Sequence, residues 1–147
     1  MGLFSSILKS TPTVIEFKPQ TIQEAYISIL YPLAKADGDF GDEEISRLSA
    51  ILVQTGLYAD MEVTDLFIKA ELSIEKYGAK SMMEASMKMI NQKFKPQLFC
   101  FCAELVFADG VVTEEEEKLL EYLATAATIS EDTAKKIIEV AMIRSGI

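Results

Sequence analysis

The stretch FADGVVTEEEEKL (Phe107–Leu119) reads as the end of one helix, a tight turn and the start of another. Gly110 can take the left-handed conformation that closes a helix. Thr113, followed three residues later by Glu116, makes a capping box. Glu114 to Glu117 fill the first turn of the new helix, where the macrodipole favours negative charge. The same pattern stands 72 residues earlier in KADGDFGDEEI (Lys35–Ile45). At that offset Asp37 and Gly38 answer to Asp109 and Gly110, Leu33 to Leu105, Phe40 to Val112, Glu43 and Glu44 to Glu115 and Glu116, Leu48 to Leu120 and Ile51 to Leu123. With a slip of one residue, Leu66, Phe67 and Ala70 meet Ile137, Ile138 and Ala141. Each unit reads helix, Asp-Gly turn, acidic helix start, further helix. Neither half is large enough to bury a core alone, so the repeat implies an internal pseudo-twofold duplication within one fold.

Working outward, the spacing of apolar residues and caps predicts seven helices and no strand. They run over about 21–36, 42–55, 60–76, 82–94, 96–108, 114–127 and 131–144. Thr21 with Glu24 and Ser81 with Glu84 read as capping boxes. Asp60 and Ser130 read as N-caps, and Pro96 suits a first helical turn. Pro32 lies inside the first helix and predicts a kink or broken turn. The expected fold is all-α, a single compact bundle of about seven helices. Its domain spans 21–147, with repeat one over 21–76 and repeat two over 96–144. Residues 1–20 read as a mobile N-terminal tail without signal-peptide features. Gly2 and Ser6 fit an acylation pattern that recurs widely by chance.

The 147 residues suffice for one domain with a real core. No apolar run approaches the ~18 residues needed to cross a bilayer, and Glu104 interrupts the longest, Leu98 to Ala108. We therefore expect a cytoplasmic protein with no stable membrane insertion. Cys100 and Cys102 stand two apart, which on a helix directs them to different faces as reduced thiols. The chain has no histidine, which excludes Ser-His-Asp and Cys-His catalysis, His-containing zinc sites and di-iron Glu-x-x-His pairs. No catalytic residue is expected. Met82, Met83, Met87 and Met89 read as core packing, and Glu104 as a carboxylate facing a polar gap or paired with a base.

Net charge is −9, and it is focused. Residues 37–44 hold five acids and no base, and residues 109–117 hold another five and no base; the remainder carries 13 acids against 14 bases. Two anionic patches on a nearly neutral body argue against nucleic acid as a partner and for cations or basic protein surfaces. Turn and helix-start electrostatics account for acids at these places without a ligand. They do not account for the number, because four consecutive glutamates repel one another, and a cation or basic partner would relieve that. Neither turn is an EF-hand: the twelfth loop positions are Leu48 and Leu120, and the third position of the second copy is Val111.

On these two segments the chain resembles the TerB-like family over about residues 21–144. The resemblance implies a compact helical bundle and a non-enzymatic module associated with stress and tellurite resistance. It also implies divalent-metal ligation at the acidic motifs, carried by Asp37, Asp39 and Glu44 in the first copy and Asp109, Glu115 and Glu116 in the second. The lack of an Asp39 counterpart makes the first copy richer. An all-oxygen donor set favours calcium or magnesium over zinc. Tellurite is an anion, and like-charge repulsion argues against its capture there. The alternative is a metal-free helical adaptor that docks a basic protein partner through the same patches.

Overall fold

Two helices bury most of their side chains, and such helices belong at the centre of a bundle. Helix α1 (Ile22–Ala34) buries every residue from Glu24 to Leu33. Helix α5 (Lys95–Phe107) buries Leu98, Phe99, Phe101, Cys102, Ala103, Leu105, Val106 and Phe107. They pack on each other at the middle of the molecule. The computed structural model describes residues 16–36, 38 and 40–147, and within these the chain is all α-helical apart from one 3-10 turn at Gln92–Phe94.

The remaining helices are amphipathic and cover the central pair. Helices α2 (Asp42–Thr55) and α3 (Thr64–Tyr77) pack on α1, while α6 (Glu114–Ala126) and α7 (Glu131–Arg144) pack on α5. Helix α4 (Ala79–Met89) packs on α1, α3 and α6, and α2 also reaches α5. Met82, Met83 and Met87 are fully buried, while Met89 lies at the surface. Glu104 pairs with Arg144. Cys100 and Cys102 are free thiols, and burial in apolar surroundings raises the pKa of both.

Several boundaries follow the predicted caps. Thr21 Oγ1 accepts the Glu24 amide at 3.1 Å, Thr113 Oγ1 that of Glu116 at 3.2 Å and Ser130 Oγ that of Thr133 at 3.2 Å. Others differ. Helix α1 continues through Pro32 and ends two residues later, so the missing N–H affects only its last turn. Helix α3 begins at Thr64 rather than after Asp60. The preceding segment is held otherwise: Gly56 turns left-handed, and buried Tyr58 donates its hydroxyl to the Gln23 carbonyl at 2.6 Å. Helix α4 begins at Ala79, with Gly78 at φ 85° as its cap, so Ser81 lies inside the helix rather than capping it. Asn91 opens the 3-10 turn that follows, its side-chain oxygen accepting the Lys93 amide. Residues 1–15 of the expected tail lie outside the described residues; Phe17 is buried edge-on against Tyr77, with ring centroids 5.4 Å apart.

Because the core is centred on α1 and α5, truncation should cost most there. Leu30→Ala, at a fully buried position, should destabilise by about 2–5 kcal/mol. Leu72→Ala, at a position 62% exposed on α3, should fall within about 0.5 kcal/mol of the parent. Denaturant unfolding of the two variants checks the contrast.

Candidate functional site

The acidic turns form locally in the same way. Gly38 (φ 83°) and Gly110 (φ 78°) both take the left-handed conformation, and their amides donate to Lys35 and Phe107 carbonyls at 3.0 Å. After each turn the third residue of the new helix folds back. Glu44 Oε2 accepts the Gly41 amide at 2.8 Å, and Glu116 Oε1 accepts the Thr113 amide and hydroxyl, both at 3.0 Å. Asp109 Oδ1 accepts the Val111 amide at 3.0 Å. Each of these carboxylates thus has one oxygen bound to its own turn, as orphan helix-start N–H groups require.

Packing of α2 on the end of α5 brings the two turns together. Glu44, Asp109 and Glu116 line one recess with Ala34, Arg47, Leu105 and Val106. Its volume of about 20 Å³ matches a single water or bare ion. Arg47 carries the opposing charge. Its Nη1 lies 3.8 Å from Glu44 Oε1 and 3.9 Å from Asp109 Oδ2, and its Nη2 lies 3.3 Å from Glu43 Oε2. Glu44 and Asp109 therefore hold one oxygen on the backbone and turn the other toward a guanidinium. The group is partly solvated, so these pairs contribute little to stability. The pKa of Glu44 is lowered, first by the hydrogen bond from the Gly41 amide, with Arg47 adding to the effect and Asp109 opposing it.

The other expected ligands are placed differently. Glu115 is exposed and lines a separate cleft with Lys35, Lys80 and Lys118. Asp37 and Asp39 lie outside the described residues. Among the described residues, no three Asp, Glu or Cys side chains are arranged to hold a metal ion as they stand. The oxygen donors are of the kind a hard cation takes, but Arg47 sits where such an ion would draw them in. Arg47 was not among the sequence candidates. Its one local signal is its spacing of three and four residues from Glu44 and Glu43; the residue at the 72-residue offset is Leu119, so the repeat does not mark it.

The first turn is tied to the body through its flanks. Lys35 pairs with Glu71, which also accepts the Tyr31 hydroxyl at 2.9 Å. Burial, followed by that hydrogen bond, raises the Tyr31 pKa to about 12. Phe40, just past the turn, rests against the Tyr31 ring at 4.9 Å.

A depressed carboxyl pKa has a pH signature. For Glu44 the contribution is fully present above the unfolded value near 4.5 and is lost as pH falls through the lower folded value. Glu44→Gln should therefore make the acid limb of the stability profile shallower below pH 4.5 while leaving the slope near neutrality unchanged. Chemical denaturation from pH about 3 to 7 measures this.

No curated protein and no solved structure matches the chain significantly. The sequence model described as tellurite resistance protein TerB matches residues 23–137, from α1 into α7 and across both acidic turns, so the chain belongs to the TerB family.

Proposed function

We propose that this protein is a non-enzymatic TerB-type binding module whose two acidic turns jointly take up a divalent cation. The carrying observation is that Glu44 from the first turn and Asp109 and Glu116 from the second line one recess. The cation would replace Arg47 as the counter-charge, since Arg47 faces the oxygens of Glu44 and Asp109 that the turns leave available. Asp37 and Asp39 flank Gly38 in the sequence and would be the further donors. Oxygen ligands alone favour calcium or magnesium. Glu115, which lines a separate cleft with Lys80 and Lys118, would serve the anionic surface rather than the ion. Release of Arg47 would change the charge presented to a protein partner and couple cation level to recognition.

The second reading is a metal-free adaptor. It is supported by Arg47 already supplying a counter-charge in the recess and by Glu43, Glu114, Glu115 and Glu117 facing solvent as a surface for a basic partner. That reading requires partner binding that weakens with salt and is indifferent to cations.

Thermal unfolding of chelator-treated protein with millimolar calcium, magnesium or manganese separates the two. Cation at tenfold its Kd should stabilise by about 1.4 kcal/mol, a midpoint rise of roughly 3–6 °C. Asp37→Asn combined with Asp109→Asn should abolish the rise. Arg47→Gln should enlarge it at subsaturating cation by removing the competing charge. No rise with any of these ions, in folded protein, overturns cation binding and leaves the adaptor.

A further inference from the structure

We propose that the outer face of α3 docks on the outer face of α7 of a second copy of this chain, in a head-to-tail contact separate from the acidic recess. The two helices are equivalents in the repeat, and their inner faces match in kind. With the one-residue slip, Leu66, Phe67 and Ala70 answer to Ile137, Ile138 and Ala141, and both sets pack against the core. An amphipathic helix should then be polar on its other side. Here the other side carries a further apolar stripe on each helix. Leu72 of α3 is 62% exposed and Ile143 of α7 is 75% exposed, and their neighbours Ile68 and Val140 are each more than half exposed. Ile68 and Leu72 are four residues apart and Val140 and Ile143 three, so each pair lies on one side of its helix. The slip that aligns the inner faces also sets Leu72 against Ile143. Single exposed apolar side chains need no partner, but a stripe repeated on two equivalent helices marks a contact surface.

Charge selects the occupant. At the register where the apolar residues agree, the charge reverses: Asp65 corresponds to Lys136. Asp65 and Glu75, both exposed, stand at the two ends of the α3 stripe, each one turn from Ile68 or Leu72. Lys136 and Arg144, also exposed, stand one turn before and one turn after Val140 on α7. Ten residues separate the acids and eight the bases, roughly 15 and 12 Å along a helix. Two stripes of similar length thus carry opposite charges at their ends. Pairing α3 with α3, or α7 with α7, would bring like charges together, whereas α3 on α7 brings acids to bases. Among the described residues no ion pair engages Asp65, Glu75 or Lys136, while Lys69, beside the acidic stripe, is held by Glu24 at 3.0 Å. The two other charges that interrupt the pattern, Lys76 beside the α3 stripe and Glu139 beside the α7 stripe, are themselves opposite in sign. Within one chain α3 packs on α1 and α4, and α7 packs on α5, so the complementary faces meet between copies. Different patches meet, so the contact is heterologous.

Sedimentation equilibrium of the full-length chain tests this across roughly a hundredfold range of concentration. Chelator is present throughout, which keeps the result independent of cation binding at the recess. The weight-average mass should climb above the 16.3 kDa of one chain. Leu72→Lys places a base against the basic stripe, and Ile143→Glu places an acid against the acidic one. Each should weaken self-association by roughly tenfold or more. An equimolar mixture of the two variants should regain it, because the intact α7 stripe of the first fits the intact α3 stripe of the second. Thermal midpoints show that both variants fold; Ile68→Lys and Val140→Glu replace either that does not. A wild-type mass that stays at one chain overturns the proposal. So does association that either variant leaves unchanged, or a mixture no heavier than the variants apart.

Discussion

The contact between α1 and α5 is the constraint on which the rest depends. Both helices bury most of their side chains, so neither can lie at a surface, and each shields the other only in part. The amphipathic helices α2, α3, α4, α6 and α7 complete the cover. Their polar faces then have one place to go. The acids that open α2 and α6 are held at the periphery, beside the turns that follow α1 and α5. Because α2 reaches across to α5, its first turn arrives next to Asp109. The charged recess is thus a consequence of how the apolar core closes.

That recess reconciles two demands on the same carboxylates. Helix starts leave N–H groups unpaired, and acids at the third helical position satisfy them. Glu44 and Glu116 do so with one oxygen each. Glu44 and Asp109 direct their second oxygens to Arg47, so the two like charges share one counter-charge. The pairing is solvated and weak. Glu24 shows the opposite case. It is buried in α1, with Lys69 at 3.0 Å and the Gln20 amide at 3.2 Å on one oxygen, and it serves the core rather than a ligand.

How far the fold was legible depended on the range of the forces involved. Thr21, Thr113 and Ser130 cap their helices as read, because a cap is a hydrogen bond between residues three apart. The start of α3 was misplaced because Tyr58 is anchored to Gln23, 35 residues away, and that contact outweighs the capping preference of Asp60. Ser81 and Glu84 have the spacing of a cap, yet Gly78 breaks the chain three residues earlier, and Glu84 is taken by Tyr122 instead. Among the site residues, Glu116 was visible as the glutamate of the Thr113 capping box, Glu44 as an acid in the first turn of its helix, and Asp109 as the residue before a left-handed glycine.

The sequence by itself determined the helical class, the two Asp-Gly turns and the concentration of charge beside them, since each is written in residues within a few positions of one another. Only the tertiary structure decided which of those charges meet. Arg47 and Asp109 are 62 residues apart, and no periodicity links them; the packing of α2 against α5 does. The same packing separates Glu115 from Glu116, neighbours in the chain that line different clefts, because successive helical residues point about 100° apart. Local spacing sets what each turn offers, and the closure of the core sets what it faces.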